Sequence, residues 1–110
     1  MANSPAFIDY LLDQLSQQRS VTSRRMFGGH GFFCDQLMFA LVVDDQLYLK
    51  ADHALADCFL QCGCQQFTYL KQGKSVQINY YTVPEQAMDD ADLLNQWAEL
   101  SVQVARAQAA

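Results

Sequence analysis

Apolar residues in the first part of the chain recur with a helical period. In SPAFIDYLLDQLSQ, residues 4–17, Phe7, Leu11 and Leu15 fall on one side, and Ile8 and Leu12 widen the stripe. Asp9, Asp13 and Gln17 fall on the other side, so an amphipathic helix is predicted. Ser4 suits the N-cap, and Pro5 suits the first helical position, where its missing N–H costs nothing. The period then shortens. VTSRRMFGG, GFFCD, QLMFALVV and QLYLKAD are rich in β-branched and aromatic residues, and are broken by glycine, Asp35-Gln36 and Asp44-Asp45. Leu47 and Leu49 alternate with Tyr48 and Lys50. Four strands in an antiparallel meander are predicted. LMFALVV is apolar on both faces, which predicts a central strand covered on both sides, by the domain itself or by a partner chain.

DHALADCFLQCG predicts a shorter helix capped by Asp52, with Leu55 and Phe59 buried and Gly63 as its stop. QQFTYLK and SVQINYYTV flank QGK as a hairpin that Pro84 ends. Val76, Ile78 and Tyr80 alternate there with Gln77, Asn79 and Tyr81, so one face of the hairpin is wet. The last helix starts at Asp89 or Asp90, acids that suit its positive end. Its core stripe is Leu93, Trp97, Leu100 and Val104, and its alanine-rich end is expected to fray. The order is helix, four strands, helix, two strands, helix. That order defines an α+β fold, an antiparallel sheet of about six strands with helices packed on it.

Length and charge narrow the picture. The 110 residues are one domain's worth of chain, and 51% of them are hydrophobic, enough for a core. The net charge is −5, with only seven Lys and Arg, so direct nucleic-acid binding by the chain alone is disfavoured. No run of apolar residues is long enough to span a membrane. The N-terminus lacks a basic region and carries Asp9 and Asp13, so it is not read as a signal peptide. A cytoplasmic protein is expected, with Cys34, Cys58, Cys62 and Cys64 as free thiols.

SRRMFGGHGFF, residues 23–33, raises the question of a phosphate loop. It fits neither Gly-x4-Gly-Lys-Ser/Thr nor Gly-x-Gly-x-x-Gly, and a strand follows it where both motifs need a helix. Met26, Phe27, Gly28, Gly29 and Gly31 therefore read as a structural motif, with glycines at a bend between strands. Arg24 and Arg25 are adjacent and point to opposite faces of a strand, so only one of them joins a given site. Cys58, Cys62 and Cys64, even with His53, lack the paired spacing of a zinc site. Neither His30 nor His53 sits near a nucleophile with a base. No catalytic, cofactor or metal residues are assigned, and a non-enzyme is expected. Strand aromatics can stack bases, but that needs flanking positive charge, which is thin along this sequence. Arg24, Arg25, His30, Tyr48 and Tyr81 are the candidates for an interaction surface.

RRMFGGHGFFCDQLMFALVVDDQLYLKAD closely resembles the signature of the TfoX/Sxy N-terminal domain family. The pattern is carried by Arg24, Met26, Phe27, Gly28, Gly29 and Gly31, then Phe39-Ala40-Leu41, Asp44-Asp45 and Leu47-Tyr48-Leu49-Lys50. Phe67, Tyr69, the Tyr80-Tyr81 pair, Val83-Pro84 and Trp97 extend the likeness over about residues 5–106. The resemblance implies an α+β domain similar to the type III secretion-chaperone fold, which often dimerises. It implies a cytoplasmic bacterial regulator of natural competence, a coactivator working with the cyclic-AMP receptor protein and contacting RNA polymerase, that receptor or its own second domain. It supplies no catalytic residues. Family regulators carry a second, C-terminal domain of similar size with helix-hairpin-helix-like character, so these residues correspond to an N-terminal half or to a stand-alone domain. The family turn before FAL usually carries Asp-Gly. Here it is Asp35-Gln36, which either keeps the turn with Gln in a less favoured conformation or needs a longer loop.

Two functional expectations follow. A coactivator domain should offer an exposed apolar or aromatic patch on the sheet and no deep polar pocket. A small-molecule sensor should instead close a cavity on which His30 and Arg24 or Arg25 converge.

Overall fold

Ser4 starts the first element: its hydroxyl accepts the N–H of Phe7 at 3.4 Å, and Pro5 follows at the first helical position. This helix, α1, spans Pro5–Leu15 and buries Ile8, Leu11 and Leu15. The computed structural model describes residues 3–26 and 28–109. Phe27 of the sequence motif lies outside them. The meander follows as β1 (Thr22–Met26), β2 (Gly29–Cys34), β3 (Leu37–Val43) and β4 (Gln46–Lys50). Then come α2 (His53–Gln61), β5 (Gln66–Lys71) and β6 (Lys74–Thr82). The chain ends in a four-residue helix, α3 (Glu85–Met88), and the long α4 (Ala91–Ala109).

Asp52 caps α2 through the N–H of Leu55 at 2.8 Å. Gly63, at φ +80°, stops it: its N–H reaches Leu60 O, and that of Cys64 reaches Phe59 O. These two bonds are the Schellman pattern, with Cys64 and Phe59 both buried beside it. Of the two candidate caps for the last helix, Asp90 is the one that accepts, from the N–H of Leu93.

All six strands form one antiparallel sheet in the order β1-β2-β3-β4-β6-β5. Three hairpins turn on two residues with positive φ, the mirror-image turn that matches strand twist. These are Asp35-Gln36, Asp44-Asp45 and Gln72-Gly73. The Asp35-Gln36 turn thus keeps its tight form, with Gln36 held at φ +66°. Arg106 of α4 donates to Asp35 at 3.0 Å across its flank.

One irregularity explains why LMFALVV is apolar on both faces. The β2–β3 register shifts between Phe32 and Phe33, from Phe32↔Ala40 to Phe33↔Met38. Phe39 is the extra residue, and at this bulge both Phe39 and Ala40 enter the core. Met38 and Leu41 are left for the opposite face.

Among the described residues, helices cover only one side of the sheet. α4 lies across β3 and β4, α1 packs on α4, and α2 packs on β6. The core between them holds Leu11, Leu15, Phe32, Phe39, Leu49 and Phe59. The stripe expected on α4 is rotated. Leu94, Asn95, Ala98, Ser101, Val102 and Ala105 are buried; of the expected stripe Val104 is buried, Leu93 and Trp97 are only partly buried, and Leu100 is 48% exposed. Small residues let α4 approach the sheet closely, and hydrophobicity alone does not mark them. The alanine-rich end stays helical through Ala109.

The glycines divide by role. Gly28 has the positive φ, +78°, of a turn. Gly29 and Gly31 are β2 residues without it, and their glycine identity comes from close approach. A Cβ on Gly29 would lie 2.6 Å from Val42 O. One on Gly31 would lie 2.6 Å from Met26 Sδ and 2.8 Å from Met38 Sδ.

Candidate interaction surface

Leu49 and Tyr81 pair across β4 and β6 and face the core, so their neighbours Tyr48, Lys50 and Tyr80 face the other, helix-free side. The same alternation places Arg24 and Met26 of β1 there, as well as Phe67, Tyr69 and Lys71 of β5 and Val76 and Ile78 of β6. Gln77 and Asn79 stay exposed on the core side, beyond the reach of the helices, which is the wet face the alternation predicts.

The rings on this bare face are packed on one another. Tyr48 meets Phe67 edge-on at 4.8 Å between centroids, and Phe67 stacks on Tyr69 at 5.9 Å. The Arg24 guanidinium carbon sits 4.3 Å from the centre of the Phe33 ring, a cation–π contact. Burial pushes the Tyr80 hydroxyl up to about 12. Burial, and then the charge of Asp44, also raise Tyr48. A trough of about 660 Å³ crosses the face, with Met26, Met38, Leu41, Phe67, Tyr69 and Ile78 among its walls. Leu70 at its rim is 76% exposed.

The other candidates go elsewhere. Arg25 and His30 line a cleft of about 760 Å³ at the start of α1, together with Asp9 and Asp44. Asn3 organises this cleft. Its Oδ1 accepts the N–H of Asp45 at 2.8 Å, and its Nδ2 donates to Val42 O at 2.8 Å. The same Nδ2 lies 2.9 Å from His30 Nδ1, which therefore accepts, leaving the ring proton on Nε2. So Arg25 and His30 converge, as the sensor expectation asks, but in an open cleft, with Arg24 on the opposite face. Tyr81 is not on the surface: it is buried and stacks on Phe59 at 5.8 Å.

Cys58 and Cys62 are exposed, while Cys34 and Cys64 are buried. Burial pushes the Cys64 thiol up, and its hydrogen bond with Thr82 partly offsets this. Among the described residues no three His, Cys, Asp or Glu side chains gather as a metal site. Within those residues, too, no helix is long and apolar enough to cross a membrane.

Met38, Leu41, Lys71 and Ile78 were absent from the sequence-based candidates. The period-two spacing of Phe67, Tyr69 and Lys71 was the available signal, since it puts an apolar pair and a cation on one face. Met38 and Leu41 gave no such signal, because the bulge at Phe39 resets the alternation between them.

Fold and surface together define an α+β domain whose antiparallel sheet is roofed by helices on one side and bare on the other. A model of the TfoX N-terminal domain matches residues 13–105, and the chain belongs to that family. It is 37% identical over 62 residues to the DNA transformation protein TfoX1 of Aliivibrio fischeri, covering 56% of this chain and 30% of that protein. Protein Sxy of Escherichia coli is 34% identical over 73 residues, covering 66% of this chain and 35% of Sxy. The DNA transformation protein TfoX of Haemophilus influenzae is 31% identical over 94 residues, covering 84% of this chain and 42% of that protein. The matched stretches thus span 30–42% of these curated relatives.

Proposed function

We propose that the chain is a non-enzymatic, cytoplasmic regulatory domain of the competence type. It acts as a transcriptional coactivator through protein contacts with the cyclic-AMP receptor protein or RNA polymerase, at promoters that depend on that receptor. Family membership supports the competence role, since two of the relatives are named DNA transformation proteins. The observation that carries the mechanism is the bare apolar face. A trough walled by Met26, Met38, Leu41, Phe67 and Ile78, with Tyr69 left 39% exposed, is surface that a protein partner would bury.

The test is a reporter driven by a receptor-dependent competence promoter, in a host lacking its own copy of the parent gene. The wild-type gene restores expression. Tyr69→Asp with Ile78→Asp lowers it about tenfold or more, as loss of a central contact does, with the circular dichroism spectrum unchanged. Full expression from the double variant overturns the assignment of this face.

The Asn3-ordered cleft carrying Arg25 and His30 supports a second reading, a stand-alone module that senses a small molecule. A thermal-shift screen of metabolites tests it. A shift that Arg25→Ala abolishes supports it, and an unmoved melting temperature across the screen removes it.

A further inference from the structure

The charge of this chain is segregated in a way that its net value conceals. All twelve Asp and Glu sit on helices, caps or turns. Five of the seven Lys and Arg sit on strands: Arg24, Arg25, Lys50, Lys71 and Lys74. All of these but Arg25 belong to the helix-free face. Arg24 lies over Phe33, Lys50 stands opposite Tyr80, and Lys71 and Lys74 stand opposite each other at the tip of the β5–β6 hairpin. The bare face is therefore apolar in its trough and basic at its edges, with no acid on any of its strands.

We propose that this face docks an acidic segment of a protein partner, one that inserts apolar side chains into the trough and sets its carboxylates against Lys71, Lys74 and Lys50. The inference rests on the protein-contact reading above and names the chemistry of the partner. Lys71 and Lys74 are like charges directly opposed across two strands, an arrangement that destabilises the free protein and that a partner carboxylate relieves. Met26 and Met38 converge on the space above Gly31, and their unbranched thioethers adapt to whatever apolar group enters.

Other occupants fit less well. Single-stranded nucleic acid needs several open ring faces for stacking, but Phe33 and Tyr80 are buried, Tyr48 and Phe67 are packed against each other, and of the described rings on this face Tyr69 alone is exposed. A second copy docked face to face by a two-fold axis would bring the same four cations together.

The experiment is solution NMR of the whole chain labelled at its methionine methyls. Met26 and Met38 report the bare face, and Met88 of α3 reports the helical side. Three probes are titrated: an amphipathic peptide of Glu and Leu, the same peptide with Lys for Glu, and oligothymidylate. Saturable shifts of Met26 and Met38 with the Glu peptide alone, Met88 unmoved, are expected. The exposed pair Lys71→Glu and Lys74→Glu should weaken that binding about tenfold or more, by placing like charges against the peptide. No shift with the Glu peptide overturns the proposal, as does a larger response to oligothymidylate or to the Lys peptide. Because the probes are synthetic, the result is independent of whether the receptor protein or RNA polymerase is the partner in the cell.

Discussion

Arg19, just past the end of α1, donates to Asn95 Oδ1 of α4 at 2.7 Å, and its side chain is only 5% exposed. The same guanidinium reaches Leu15 O at 2.8 Å, satisfying a carbonyl at the end of α1, and Glu99 at 3.5 Å. Asn95 in turn donates to Gln14 O at 3.0 Å and to Ala91 O at 2.8 Å. A buried arginine and a buried asparagine thus tie α1 to α4. Asn95→Ala leaves the guanidinium and the Gln14 carbonyl short of partners, so we expect a loss of about 2–4 kcal/mol in urea unfolding. A loss under about 0.5 kcal/mol, the range of an ordinary surface change, would contradict the account.

The Asp35-Gln36 turn holds Gln36 at φ +66°, in the left-handed region where a side chain costs energy. Gln36→Gly should stabilise the protein by about 0.5–1 kcal/mol, since the relieved strain exceeds the entropy cost of glycine. Thermal unfolding checks this, and a lowered melting temperature would mean that the turn is not strained.

Gly29 and Gly31 should separate in their responses. The Cβ of Gly29→Ala meets backbone oxygen, which cannot yield, and Gly29→Val should cost about 2 kcal/mol or more. The Cβ of Gly31→Ala meets two methionine side chains, which can turn aside. Gly31→Ala should cost less stability than Gly29→Ala while pushing Met26 and Met38 into the trough and weakening partner binding. Equal stability losses at the two positions would overturn this distinction.

Alkaline stability follows from Tyr80. Its folded hydroxyl keeps its proton up to about 12, above the ordinary tyrosine value of 10.0. Below that ordinary value both states are neutral there and stability does not change with pH. Above it the unfolded chain loses the proton first, so stability falls as pH rises toward the folded value. The fall is at most roughly 2 kcal/mol. Tyr80→Phe should remove this part of the alkaline slope, as read by urea unfolding across that pH window. An unchanged slope would mean that Tyr80 is not its source.

Much of the fold was legible because its signals are local. Ser4-Pro5, Asp52 and Gly63 mark helix ends by their own hydrogen-bonding chemistry, and the alternation of QLYLK needs only a strand to mean something. The rotated α4 face was not legible, because Ala98, Ser101 and Ala105 are buried by the closeness of the sheet and not by their own hydrophobicity. The interaction surface was half legible. The opposed faces of Arg24 and Arg25 follow from adjacency in a strand. The basic edge of the bare face does not, because Arg24, Lys50, Lys71 and Lys74 meet only when β1, β4, β5 and β6 share one sheet. A net charge of −5 pointed away from it.

The most direct test of the central claim is retention of purified cyclic-AMP receptor protein and RNA polymerase on the immobilised chain, wild type beside Tyr69→Asp with Ile78→Asp. The account predicts that wild type retains at least one of them and that the double variant retains neither. Retention of neither by wild type, or equal retention by both chains, would contradict it.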